Sequence, residues 1–390
     1  MTVNSIYTLP PVDKMSPGAR KMRDFYNHIP DAPVFQEEFG FFVMDRWIAE
    51  GHIAPNARSW VPWTNLEEEL FGFDPQGKIA MGNLGWTVAG FDPVFEEKIV
   101  EDQGEYELFQ DFGGRVKKCF KGRRSGFMSE FVDSPVKDQR TWEENCLWRL
   151  DPSSAGRKEG IAKAVSEAKK AAAEGKIISA NLVGGYMYLR SLMGPVNLLY
   201  LFYDNPELIH RCMEAWLHLA DGVYSEMQKE IVFDEVFFGE DICYNHGLLI
   251  SQDMIREFLF PYYKQLLSNV KTRQLDKTRP LHLHLDTDGF SDPAIPLYKE
   301  LGWDYLSPFE VASGSDVVRT GREYPELLIR GGIDKRILAA GKDAINREID
   351  RIMPVMKKRG GYIPTCDHGV PAEVSFENYL HYRKRMLEFA

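Results

Sequence analysis

The chain has 390 residues, 44% of them hydrophobic and 27% charged, with a formal net charge of −11, a mean hydropathy of −0.34 and an isoelectric point near 5.4. Such a chain supplies a large buried core and is long enough for an α/β barrel with insertions. It is acidic and offers only short basic stretches such as KGRRSG at 121–126, which argues against nucleic-acid binding, because phosphate neutralisation needs clustered Lys and Arg. No apolar run approaches the ~20 residues of a membrane helix. The start, MTVNSIYTLPPVDKM, shows no basic stretch followed by an apolar one, so no signal peptide is expected. The five cysteines are scattered and form no CxxC pair, which predicts free thiols and a cytoplasmic location.

Residues 1 to about 150 are rich in aromatics, Pro and Gly and predict short helices mixed with hairpin-like runs. The segment 105–122 alternates about the Gly113–Gly114 turn and reads as a β-hairpin. The stretch PNARSWVPW (55–63) reads as loop. From about 155 the pattern becomes regular. An Ala-rich amphipathic helix ends at Gly175, and the β-branched strand IISANLVGG follows. Two helical stretches lead to the strand-like FDEVFFGEDI (233–242), and Ser251 then starts a helix as its N-cap. Further strands are expected at 280–289, 303–310, 327–334 and 361–369, with helices between them and a last helix from about Ser375. This alternation implies βαβ units and a parallel sheet. A TIM (β/α)8 barrel with an N-terminal α+β embellishment is the expected fold, as one domain over 1–390 with regular βα units over 151–390. A doubly wound sheet is the competitor, but the Gly-rich spacing of its phosphate loop is absent.

In a barrel the active site lies at the C-terminal ends of the strands. Those ends carry Asn181, Glu240 with Asp241 and the following Tyr244, Asp286 with Asp288, Glu310, Asp334 with Lys335, and Asp367 with His368. The mouth is expected to be rich in carboxylates, with one His. Any single position of this kind can be a helix cap or an Asx-turn. His282 and His284 share one strand face and read as core histidines, and Asp367 reads as a capping or orienting residue. Asp286 and Asp288, two apart on an extended chain, point to one side. Together with His368 they form a candidate three-ligand metal set with an open position, as in catalytic zinc sites. The metal-free alternative is a pair of carboxyls sharing a proton, one of them a general acid.

The stretch PFEVASGSDVVRTGREYPELLIRGGIDKRILAAGKDAINREI, preceded by DTDG and followed by DHGVPAEVSFENY, resembles the uroporphyrinogen decarboxylase superfamily. Within it the chain is similar to the corrinoid-dependent methyltransferase branch. FGEDICYNHGLLISQDMIREFLFPYYKQL, LMGPVNLLYLFYDNPELI and DSPVKDQRTWEE fit the same pattern. The likeness covers roughly 130–390. It implies a TIM barrel and a methyltransferase that moves a methyl group from a methylated small molecule, preferably a methoxylated aromatic (O-demethylation), to the cobalt of a separate corrinoid (cobalamin) protein. The alternative it implies is a decarboxylase or other lyase acting on a carboxylated substrate. The Arg-rich segment of true uroporphyrinogen decarboxylases has no counterpart in SPGARKMRDFYNHIP.

The branch's zinc motif, His-x-Cys-Gly, falls on Asp286-Thr287-Asp288-Gly289, and its later Cys falls on His368. The resemblance therefore implies zinc on Asp286, Asp288 and His368 in place of a thiolate set. The expected catalytic residues are Glu240, Asp286, Glu310 and His368. The expected substrate contacts are Asn181, Asp241, Tyr244 and Asp334. The expected partners are the corrinoid protein and the small methyl donor.

Overall fold

The structure is a computed structural model that describes residues 9–40, 42–55, 70–122, 124 and 129–390. The loop expected over 55–63 lies outside these apart from residue 55. Strands β1 (Lys78–Leu84), β6 (Ile177–Val183), β7 (Glu235–Gly239), β10 (His282–Asp286), β11 (Tyr305–Ser307), β12 (Leu328–Arg330) and β13 (Tyr362–Ile363) form one sheet in that order. Every pairing in it is parallel. The expected βα alternation is thus present, with the first strand coming from the N-terminal part. Strands β2 (Lys98–Gln103), β3 (Tyr106–Gln110), β4 (Val116–Phe120) and β5 (Glu130–Asp133) make a separate antiparallel sheet. Its β3–β4 pair is the hairpin read from the alternation. A short β8–β9 pair, Cys243–Tyr244 with Gly247–Leu248, follows β7.

Local signals set these elements. Gly175, at φ +78°, stops the helix Ala155–Ala173 where an L side chain would be strained. Ser251 and Ser375 cap their helices by accepting the amides of Met254 and Asn378, both at 3.2 Å.

The parallel sheet forms a TIM-like barrel, but its hydrogen-bonded ladder runs through seven strands without an eighth among the described residues. The gap between β13 and β1 is spanned by the irregular segment 34–40. Asp74, just before β1, donates its amide to the carbonyl of Phe35 at 2.8 Å and accepts the Phe35 amide on its side chain at 2.7 Å. At the other end Gly40 and Glu38 exchange backbone bonds with Val370, both at 2.8 Å.

Alternation decides what faces inward. Phe238 packs on Trp216, Tyr263 and Trp303 in the outer layer, whereas Phe237 packs on His284. Glu235, Phe237 and Gly239 therefore face the barrel interior, with His284 and Asp286 beside them in register. The helix Pro17–Tyr26 plugs the bottom, where Met22, Phe25 and Tyr26 join Ile177, Tyr305, Leu328 and Ile363 in one apolar cluster.

Candidate active site at the strand ends

Above the plug the interior becomes polar. Glu235 is fully buried and takes hydrogen bonds from Tyr26, Lys78 and, at 2.6 Å, Ser179. Ser179 also bonds Asn181 at 2.6 Å, so Asn181 belongs to this interior layer rather than to the rim. His284 stacks on Tyr305 with centroids 3.5 Å apart, and its Nε2 lies 2.8 Å from the Ser307 hydroxyl. Burial pushes the imidazole down to about 4, so it is neutral at physiological pH. It is a core histidine, as its strand face implied.

The top layer holds the chemistry. Asp286 ends β10, and the Ser307 hydroxyl donates to its Oδ2 at 2.6 Å. Burial, then the charge of Asp288, pushes the Asp286 carboxyl up to about 7. Asp288 is itself pushed up to about 6 by burial; His368 opposes this, and Asp241 and Glu310 add to it. The His368 Nε2 stands 3.7 Å from the Asp288 carboxylate. Glu310 accepts the Gly289 amide at 3.0 Å and faces Lys335 Nζ at 3.2 Å. Asp241, held at φ +45°, pairs with Arg190. Asp241, Asp286, Asp288, Glu310, Lys335 and His368 thus share one mouth. Asp367 accepts the amides of Val311 and Lys335 at 2.8 and 3.1 Å, which is the orienting role expected of it.

Other expected residues lie elsewhere. Glu240 is fully buried in the outer layer, where Tyr263 (2.6 Å) and Tyr298 (2.9 Å) donate to its Oε1. Tyr263 in turn accepts the Gly185 amide at 2.7 Å, so the carboxyl anchors the start of the helix Gly185–Met193. Burial pushes Glu240 up to about 7. It faces no open space: a Cβ on Gly184 would sit 1.7 Å from its Oε2. Asp334 caps the helix Lys335–Ala340 and is bonded by Arg336. Tyr244 is half-exposed at the rim, and its carbonyl accepts the Phe290 amide at 2.9 Å.

The metal set is not assembled. Asp288 and His368 face one another, while Asp286 turns to Ser307. Among the described residues no three His, Cys, Asp or Glu side chains are gathered as an ion needs. The arrangement instead fits the alternative of two neighbouring carboxyls, one able to hold a proton near neutrality. Cys366 is buried, its thiol is pushed far above the usual range by burial, and its amide is bonded to Glu37 at 3.0 Å. It is not a reactive thiol.

Two residues of the mouth were not foreseen. Ser307 precedes Pro308 at the end of β11, and the strand-end rule that picked out Asp286 also reaches it. Trp86 follows β1 and stacks on Phe237 with centroids 4.7 Å apart. A Trp just after a strand was the only signal for it.

A uroporphyrinogen decarboxylase (URO-D) family model matches residues 131–387. The uroporphyrinogen decarboxylase of Hydrogenobaculum sp. (strain Y04AAS1) is 20% identical over 183 residues, 46% of this chain and 48% of that protein. That of Pseudomonas entomophila (strain L48) is 25% identical over 176 residues, 45% and 47% of the two chains. The chain thus matches about half the length of these relatives. A methyltransferase from Methanosarcina mazei superposes with a TM-score of 0.58 at 12% identity, over 95% of this chain and 98% of that one, a likeness of fold. With the parallel strands and their polar mouth in place, the family match over well over half of its length shows that the chain belongs to the uroporphyrinogen decarboxylase (URO-D) family.

Proposed function

We propose that the protein is a methyltransferase that takes a methyl group from a methoxylated aromatic and delivers it to the cobalt of a separate corrinoid protein. The observation that carries this reading is Asp286, a buried carboxyl at the barrel mouth that accepts from the Ser307 hydroxyl at 2.6 Å and that burial and the charge of Asp288 push up to about 7, where it can carry a proton near neutrality. Cleaving an aryl methyl ether needs a proton for the departing phenolate. The methyl carbon–oxygen bond breaks, its electron pair stays on oxygen, and that oxygen takes the Asp286 proton. The resulting carboxylate keeps the Ser307 hydroxyl as its donor. Asp288 beside it helps to keep that proton in place near neutrality, and the His368 imidazole faces the Asp288 carboxylate at 3.7 Å. The corrinoid, presented at the strand-end face by its own protein, supplies the nucleophilic metal that accepts the methyl group. No zinc step is invoked, because Asp286, Asp288 and His368 are not gathered around a common point.

The rival reading is a decarboxylase, favoured by the activity named for the relatives. A polycarboxylate substrate needs unengaged cations at the mouth. Arg190, Lys335 and Arg336 face Asp241, Glu310 and Asp334, and Arg330 faces Glu38 at 3.7 Å. The deciding experiment mixes the protein with a reduced corrinoid protein and a panel of methoxyarenes and follows methyl-cobalt formation by absorbance. Turnover with an arene supports the proposal. No methylation with any donor, or carbon dioxide release from a carboxylated substrate instead, overturns it.

A further inference from the structure

The exposed tryptophan at the mouth has no role in proton delivery, yet its position is specific. Trp86 lies just beyond the end of β1, and 52% of it is exposed. One face of its indole is stacked on Phe237, with an interplanar angle of 25°. Among the described residues no other ring lies against it. Phe237 is an inward-facing residue whose edge meets His284 at 4.9 Å. The next inward position on β7 is Gly239, level with Asp286 in register. A Cβ there would come within 3.2 Å of the Trp86 carbonyl, so this corner of the top layer holds backbone and the indole and no side chain from β7. The indole therefore stands beside the strand that neighbours the acid, with part of its surface open. A large apolar surface left in water costs free energy unless a ligand covers it.

We infer that Trp86 is a platform on which the ring of an aromatic methyl donor stacks, placing its ether oxygen toward Asp286. This rests on the methyltransferase reading above and names the residue that selects the donor class. A quaternary ammonium donor is the other ligand that a tryptophan face attracts. Such a cation would need an unbalanced carboxylate beside the indole. The carboxylates of the mouth are engaged instead: Asp241 with Arg190, Glu310 with Lys335, Asp288 facing His368, and Asp286 held by Ser307. A neutral ring meets the same indole with no charge to balance.

The test is calorimetric titration of the intact protein with three probes: 2-methoxyphenol, the saturated 2-methoxycyclohexanol, and tetramethylammonium. The wild type is expected to bind 2-methoxyphenol more tightly than the saturated analogue. Trp86→Ala is expected to lose about two- to tenfold in that affinity, the range that a stacked aromatic pair contributes, and to erase the preference over the saturated ring. Trp86→Phe is expected to restore most of both. The side chain is half in water, so both variants keep the fold, and circular dichroism spectra confirm it. Unchanged affinity in Trp86→Ala, no binding of the aromatic probe to the wild type, or tighter binding of tetramethylammonium than of 2-methoxyphenol each overturn the platform. The two readings fail separately. Methyl transfer that persists with an unchanged KM in Trp86→Ala sinks the platform alone, whereas Trp86-dependent binding without methyl transfer sinks the proposed reaction alone.

Discussion

Replacing Glu240 by Gln tests the claim that this carboxyl is a buried anchor whose ionisation opposes folding. In the folded chain it is pushed from its ordinary value of 4.5 up to about 7, chiefly by burial. Because the folded value lies above the unfolded one, the native state holds this proton longer than the unfolded chain does. The stabilisation is complete below about pH 4.5 and is lost as the pH rises to about 7. Each pH step in that window costs about 1.4 kcal/mol, so the wild type forfeits on the order of 3 kcal/mol by pH 8 through this one group. A Gln amide oxygen in the Oε1 position still accepts from Tyr263 and Tyr298, and it cannot ionise. The urea midpoints of wild type and Glu240→Gln should therefore converge below about pH 4.5, separate steadily up to about pH 7 and stay apart above it, with the variant more stable at the alkaline end. Glu37 and Asp286, also pushed up to about 7, impose the same slope on both proteins, so the difference isolates Glu240. Parallel midpoint curves across this range would refute the reasoning.

Further outcomes follow from the same geometry. Under the proposed reaction kcat/KM should fall as the pH rises through about 7, where Asp286 loses its proton. Ser307→Ala removes a donor that favours the ionised form, so this fall should move to higher pH; an unmoved profile would remove Asp286 as the acid. Gly331→Ala should be strongly destabilising, because φ is +110° and the new Cβ would lie 1.7 Å from the Pro308 carbonyl. Gly341→Ala at φ +108° meets nothing within 4 Å and should cost only backbone strain of about 1–3 kcal/mol; equal urea midpoints for the two would contradict the clash. All five cysteines are buried, so a thiol reagent should label none of them in the native protein and five after unfolding. Rapid labelling of Cys366 in the folded chain would reopen its case as a reactive residue.

Some placements were within reach of the strand period alone. His282, His284 and Asp286 alternate on one face, and the acid at the end of β10 follows from that pattern. The same rule applied to β7 puts Glu235, Phe237 and Gly239 inward and turns Glu240 outward, which is where Tyr263 and Tyr298 hold it. Reading Glu240 simply as a strand-end acid overlooked that parity. β1 was blurred by Gly82 within KIAMGNL and by the irregular sequence around it, which weakens any strand signal.

The sequence by itself determined the periodic elements, their caps, the parallel sheet and the ring of carboxylates at its strand ends, because these depend on spacings of two to four residues along one chain. Only the tertiary structure decided which carboxylates share a mouth, that Asp286 turns to Ser307 rather than to His368, and that Trp86 covers Phe237. Those relations join residues that are from 21 to 151 positions apart in sequence. Their burial, which sets the proton on Asp286, exists only once the strands have been brought side by side.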